Sequence, residues 1–249
     1  MSSRVLVLGG TAEARRLASV LTAAGKPVTT SLAGRVARPR LPPGEVRVGG
    51  FGGPRALAGW IVEHGIAAVV DATHPFAERI SASAAEACPL AGVPLLRLER
   101  PGWTERPGDR WHWVGDVDEA AVVVASLGRR VLLTTGRQGL AAFADVTDAW
   151  FLVRCVDAPQ PPLPPHHELL LDRGPYTLAG ELALIDRHRV DVVVTKNSGG
   201  ALTQAKLDAA RQRRLPVIVV RRSAVPAELR MPTVATVEEA TVWASAQAG

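Results

Sequence analysis

The stretch Arg4-Val5-Leu6-Val7-Leu8-Gly9-Gly10-Thr11-Ala12-Glu13-Ala14 decides the fold. A β-branched and leucine run stops abruptly at Gly9-Gly10-Thr11. A strand covered on both faces reads as such a continuous apolar run rather than as an alternation. From Ala12 to Ala24 the pattern turns helical, and Gly25 closes it as the residue past the helix end. Pro27 to Ser31 then reads as a second strand. Strand, helix and strand within ~30 residues make a βαβ unit.

The pattern continues outward. Glu45 to Val48 reads as a strand, Pro54 to His64 as a helix and Ala67 to Asp71 as a strand. Phe76 to Leu90 follows as a helix and Pro94 to Leu98 as a strand. This alternation predicts an α/β protein, a parallel sheet with helices on both faces. Glu99 to Arg110 is polar and punctuated by Pro-Gly, which marks a crossing segment between domains.

Beyond it the alternation restarts. Asp116 to Ser126 is a predicted helix and Arg130 to Thr134 a strand, and Gln138 to Ala144 opens a helix. Trp150 to Cys155 is a strand, and the Pro-rich stretch Ala158 to His167 forms no regular element and reads as a lid or inter-domain loop. Leu169 to Leu171, Leu178 to His188, Val190 to Thr195, Ala201 to Arg214 and Pro216 to Val220 alternate strand and helix, and Thr233 to Ala248 adds a strand and a closing helix. The halves echo each other. Val5-Leu-Val-Leu-Gly-Gly-Thr matches Val131-Leu-Leu-Thr-Thr-Gly-Arg, and Val69-Val-Asp-Ala-Thr-His matches Val193-Val-Thr-Lys-Asn-Ser. In each half the second motif lies roughly 60 residues after the first, as expected of a repeated unit. Two tandem Rossmann-like domains are the natural reading, with residues 1–100 and 111–249 as the halves and 101–110 between them; one larger sheet is the alternative.

Composition limits the function. In 249 residues, 47% are hydrophobic and 4% aromatic, so the core is mostly Val, Leu, Ala and Ile. Net charge is +5, and only Lys26, Lys196 and Lys206 are lysines. The arginine excess suits carboxylate or phosphate recognition, or reflects genome composition. No basic run interleaved with aromatics points to nucleic acid, and no zinc-ligand spacing is present. The apolar run from Val5 to Leu8 is too short for a signal peptide or a membrane span. Cys88 and Cys155 fall in no motif, which fits a reduced cytoplasmic protein.

In parallel sheets ligands bind past the carboxyl ends of the strands. Gly9, Gly10, Thr11 and Ala12 suit a pyrophosphate at a helix N-terminus, although tight ligand-free turns use the same residues. An acidic residue normally ends the second strand of an NAD site. Here Thr29-Thr30-Ser31-Leu32-Ala33-Gly34-Arg35 has none, so Ser31, Gly34 and Arg35 favour the 2′-phosphate of NADPH. Gly50 and Phe51 lie in a glycine-dense loop that presses on a flat ligand or merely turns. Ala72, Thr73 and His74 would face the nicotinamide end. In the second half, Thr135, Gly136, Arg137, Lys196, Ser198, Gly199 and Arg221 make a ring of donors for a polyanion, unless they are ordinary solvated strand ends.

Four segments together resemble the precorrin-6A reductase family: Leu8-Gly-Gly-Thr-Ala-Glu-Ala-Arg15, Asp71-Ala-Thr-His-Pro-Phe-Ala-Glu-Arg79, Thr134-Thr-Gly-Arg137 and Thr195-Lys-Asn-Ser-Gly-Gly200. The resemblance implies NADPH-dependent reduction of precorrin-6A to precorrin-6B in cobalamin biosynthesis. It implies that the N-terminal half binds coenzyme and the C-terminal half binds the polycarboxylate tetrapyrrole. It further implies sheets that exchange terminal strands, and a transient contact with the next pathway enzyme. Arg137, Lys196 and Arg221 are the expected carboxylate anchors, and Arg35, Arg38 and Arg79 could join either ligand. His74, Asp145, Tyr176 and Lys196 are candidate proton donors by type and loop position, beside bulk water. Rival readings are a two-domain glycosyltransferase-like enzyme and a non-catalytic NADPH-binding sensor.

Overall fold

The computed structural model describes residues 4–34, 40–224, 226, 229 and 231–247. In its first strand, β1 (Arg4–Leu8), alternate side chains feed two cores. Val5 and Val7 pack with Ala14, Leu17 and Leu21 of helix α1 (Ala12–Ala23), whereas Leu6 and Leu8 pack with Leu57 and Ile61 of α2 (Pro54–Glu63) and Ala84 and Ala87 of α3 (Glu78–Ala91). That two-sided burial is why the strand reads as an unbroken apolar run.

The remaining strands of this part are β2 (Val28–Leu32), β3 (Glu45–Val48), β4 (Ile66–Asp71) and β5 (Leu95–Leu98). The second part opens with β6 (Trp111–Val114) and α4 (Val117–Leu127). Then come β7 (Arg130–Thr134), β8 (Trp150–Cys155), β9 (His167–Leu171), α5 (Leu178–His188), β10 (Val192–Lys196), α6 (Ala205–Gln212) and β11 (Val217–Val220). A last strand, β12 (Thr233–Val234), and helix α7 (Val237–Gln247) end the described chain.

Two six-stranded parallel sheets result, ordered β12-β5-β4-β1-β2-β3 and β6-β11-β10-β7-β8-β9. The orders correspond strand for strand, with β1 matching β7 and β4 matching β10, as the sequence echo requires. The fold is therefore α/β with two Rossmann-like sheets.

The domain boundary needs correction. Residues 224–249 belong with residues 1–101, not with 111–249, and the second unit is Gly102–Ser223. Thr233 and Val234 of β12 are in register with Arg97 and Leu98 of β5, and Ala240 and Ala244 of α7 are fully buried in the core of Val5 and Leu17. Without α7 that face of the first sheet would lie partly bare. Terminal-strand exchange is thus present as the return of β12 to the first sheet. The crossing segment is also shorter, since Gly102 onward packs into the second unit.

Two local expectations also change. Gln138 to Ala144 is not a helix but two 3-10 turns, Arg137–Gly139 and Ala141–Phe143. Leu140 and Phe143 are both buried, and their three-residue spacing is the one a 3-10 turn eclipses onto one side. The predicted helix Ala201 to Arg214 likewise begins with a 3-10 turn, Ala201–Thr203, and becomes α-helical only from Ala205 to Gln212.

Candidate functional site

In the first unit the strand order reverses between β1 and β4. That switch point is where doubly wound sheets hold their ligands. Gly9 packs directly on β2: a Cβ there would lie 2.9 Å from Thr30 Cγ2, and its N–H donates to Ser31 O at 2.9 Å. Gly10 takes φ +114° with open space where a side chain would go. Thr11 caps α1, its Oγ1 accepting from Ala14 N at 3.1 Å and donating to Ala72 O at 2.7 Å. The N–H groups of Ala12 and Glu13 have no carbonyl behind them within the helix. Glu13 itself is held by Arg100 at 2.8 Å. A small-residue cradle below open helix donors fits a pyrophosphate.

Ser31, the last residue but one of β2, is buried, and Gly34 takes φ +71° just beyond the strand. Arg35 and Arg38 lie outside the described residues. A basic group at this corner is supplied by Arg47 of β3, which the sequence reading passed over. Its Nη1 lies 3.5 Å from Ser31 Oγ, and the guanidinium donates to Gly49 O at 2.6 Å and Gly50 O at 2.7 Å. It also stacks 3.8 Å from the centre of the Phe51 ring. Arg47 thereby holds the Gly50-Phe51 loop in place. Burial lowers its pKa from the usual guanidinium value.

The β4–α3 loop carries Ala72, Thr73 and His74. Asp71, fully buried, accepts from Thr73 N at 3.1 Å and from Thr73 Oγ1 at 2.7 Å, and it pairs with Arg97 of β5. Arg97 also donates to Ser81 Oγ at 2.8 Å and to Glu99 at 2.9 Å and 3.0 Å. The Thr73 hydroxyl and backbone N–H are thus both committed to protein. His74 Nδ1 accepts the Phe76 N–H at 3.3 Å, which puts the neutral ring's proton on Nε2. Arg79 is exposed in the first turn of α3. Cys88, on the same helix, is free and buried, its thiol pushed up to about 12 by burial and the Asp71 charge.

In the second unit β7 and β10 form the matching switch point. Thr134 Oγ1 donates to Val194 O at 2.9 Å. Thr135 is buried, Gly136 takes φ +76°, and Arg137 is exposed after them. Lys196 ends β10 half-buried; past it Ser198 is half-buried and Gly199 is buried with φ +64°. Arg221 follows β11, exposed and 4.8 Å from the Trp113 ring centre. Each of these groups lies at or just past the carboxyl end of β7, β10 or β11.

The proton-donor candidates separate. Asp145 is exposed in the segment between the second 3-10 turn and β8. Tyr176 is half-buried, its hydroxyl donating to Asp172 O at 3.2 Å and its ring 4.0 Å from the Arg154 guanidinium. Burial first, offset by Arg154, raises its pKa, so the phenol stays protonated near neutrality.

A buried charged cluster adjoins it. Arg154 of β8 pairs with Glu181 of α5 at 2.6 Å, and both are almost wholly buried. Lys206 of α6, 3% exposed, donates to Thr203 O at 2.8 Å. Burial, reinforced by the Arg154 charge, pulls its pKa down to about 7 against the opposing pull of Glu181. One sequence signal could have found Arg97 and Arg154: each is a lone charge in an apolar strand, Leu95-Leu-Arg-Leu98 and Phe151-Leu-Val-Arg-Cys155. Among the described residues no cluster of three His, Cys, Asp or Glu could hold a metal, and no helix is long and apolar enough to cross a membrane.

Two doubly wound sheets, a glycine turn feeding a capped helix and basic strand ends define a Rossmann-like α/β protein. The family described as Precorrin-6x reductase CbiJ/CobK matches residues 4–245. The chain belongs to this family, whose members are reductases of cobalamin biosynthesis. A precorrin-6A reductase from Rhodococcus erythropolis is 51% identical over 242 residues, 97% of each chain. A cobalt-precorrin-6A reductase from Priestia megaterium is 33% identical, covering 88% of this chain and 90% of the relative. A solved structure described as CobK precorrin-6A reductase superposes with a TM-score of 0.91 at 42% identity, over 98% of this chain and 97% of that one.

Proposed function

We propose that the protein reduces precorrin-6A to precorrin-6B with NADPH, coenzyme on the first sheet and tetrapyrrole on the second. The observation that carries this reading is the full-length relationship to proteins named precorrin-6A reductase. The choice of NADPH rests on the acid-free end of β2 and on Arg47 beside Ser31. Arg35 joins them by its position in the sequence.

NADPH, when bound, supplies the hydride. The chain's residues supply position and field. Gly9, Gly10, Thr11 and Ala12 hold the pyrophosphate; Ser31, Gly34 and Arg47 hold the 2′-phosphate; Gly50 and Phe51 line the adjoining loop. Ala72, Thr73 and His74 border the nicotinamide. Thr135, Gly136, Arg137, Lys196, Ser198, Gly199 and Arg221 hold substrate carboxylates, with Arg38 and Arg79 as further cations. Each desolvated guanidinium–carboxylate contact contributes about 1.5–3 kcal/mol, and exposed ones little. His74, whose Nδ1 accepts from Phe76, and Tyr176, held protonated, are the two proton sources that fit strand-end positions. The protein acts in the cytoplasm and passes product to the next enzyme by transient contact.

The test is anaerobic mixing of purified protein with NADPH and precorrin-6A, with NADH and cobalt-precorrin-6A in parallel. The expected result is loss of NADPH absorbance in step with a shifted pigment spectrum, much slower with NADH. A folded protein that binds NADPH tightly and oxidises none of it with either pigment overturns the reading.

A further inference from the structure

The segment after residue 101 reads as a mere crossing in the sequence, yet Trp103 is 9% exposed and tied to the loop that follows β10. Its backbone N–H donates to Asn197 Oδ1 at 2.7 Å, and Asn197 Nδ2 donates back to Trp103 O at 3.3 Å. Its indole Nε1 donates to Gly200 O at 3.2 Å. The loop is thus held at both ends, Asn197 and Gly200, by one residue. The contact is close: a Cβ on Gly102 would lie 2.8 Å from Asn197 Nδ2. On the other side the Lys206 ammonium lies 4.6 Å from the centre of the Trp103 ring, itself fixed on Thr203 O. Arg222 Nε adds a bond to Asn197 O at 2.9 Å.

We propose that Trp103, Asn197 and Lys206 form a clamp that positions the β10–α6 loop for the macrocycle, making them positioning residues for the reaction. The proposal rests on reading the second sheet as the tetrapyrrole side. Ser198 and Gly199 sit between the two clamped points and Lys196 immediately before the first, so any slack in the clamp displaces the groups assigned to substrate carboxylates. A buried lysine and an asparagine with both ends of its amide engaged are more than a solvated crossing needs. They fit a loop whose geometry must be held to a fraction of an ångström.

The experiment compares wild type with Asn197→Ala and with Trp103→Phe, which keeps a ring for Lys206 and the backbone bonds to Asn197 but loses the indole donor. Backbone amide exchange at residues 198–200 is read first, because it needs no substrate. Steady-state kinetics with precorrin-6A and NADPH binding are read next. Asn197→Ala is expected to speed exchange of those amides by about tenfold without affecting the loop after β7. Its KM for precorrin-6A is expected to rise by about tenfold with the NADPH dissociation constant unchanged, and Trp103→Phe to fall between it and wild type. Unchanged exchange in both variants overturns the clamp. Faster exchange with an unchanged KM in active enzyme overturns its role in the reaction. Wild-type protein inert toward precorrin-6A fails the underlying reading, and this role with it; that failure appears before any variant is compared.

Discussion

The Thr11 hydroxyl donates to the Ala72 carbonyl at 2.7 Å while it accepts the Ala14 N–H at 3.1 Å, so one side chain caps α1 and pins the β4–α3 loop. The Ala72 N–H in turn donates to Leu8 O at 3.0 Å, closing the switch point of the first sheet. Thr11→Val keeps the shape and loses both hydroxyl bonds. It is expected to lower stability to urea by about 1–2 kcal/mol. It is also expected to weaken NADPH binding by about tenfold, read by fluorescence titration. Thr11→Ser retains the oxygen and recovers most of both losses. A valine variant of wild-type coenzyme affinity would detach this loop from the coenzyme.

On the proposed assignment, Arg47 carries the coenzyme choice. Arg47→Ala removes the cation beside Ser31 and the stacking partner of Phe51. The KM for NADPH is expected to rise by about tenfold or more while that for NADH changes little, because only the former carries the 2′-phosphate. Arg47→Lys restores charge but neither the stacking nor the paired bonds to Gly49 and Gly50, so it rescues in part. Equal losses with both coenzymes would reduce Arg47 to a loop support.

The ease with which these loops were found in the chain, and the difficulty of others, has physical causes. β1, β4, β7 and β10 are central strands covered on both faces, so each announces itself as an apolar run ending in Gly, Asp or Thr. β6 was hidden because Trp111-His-Trp-Val sits among Pro-Gly turns and owes its strand state to pairing with β11, far along the chain. β12 reads as a strand from Thr233 onward, but its place beside Arg97 and Leu98 in the first sheet is recorded by no local pattern. The strand-end glycines and hydroxyls of both units were legible because turns demand them. Arg47, Trp103 and Lys206 were not, because their partners Phe51, Asn197 and Thr203 are fixed by tertiary packing.

The Asp71–Arg97 pair gives a stability test that is separate from chemistry. Asp71 is fully buried, and its remaining bonds go to Thr73. Arg97→Met leaves that carboxylate buried with no opposite charge, at a cost of about 3–5 kcal/mol. Asp71→Asn strands the guanidinium less severely, since Glu99 and Ser81 still accept from it. Urea unfolding is therefore expected to rank the variants wild type, Asp71→Asn, then Arg97→Met. The reverse order would mean that Glu99, not Asp71, is the pairing partner that matters.

Lys206 makes stability depend on pH in a direction opposite to that of an ordinary surface lysine. Its pKa is about 7 in the folded protein because it is buried and faces Arg154 of β8, with Glu181 of α5 only partly offsetting them. In the unfolded chain the ammonium stays protonated up to about 10.4. Below about pH 7 both states hold the proton and this group adds no slope. Above it the unfolded state binds more protons than the folded one, so stability rises with pH, by at most about 1.4 kcal/mol per unit. Urea midpoints measured between about pH 6 and about pH 9 are expected to show that rise in wild type. Lys206→Met, which keeps an apolar stem against Trp103, is expected to flatten it, and the difference between the two curves isolates this residue from every other titrating group. Parallel curves would mean that Lys206 stays charged where it lies, with Glu181 outweighing both burial and Arg154.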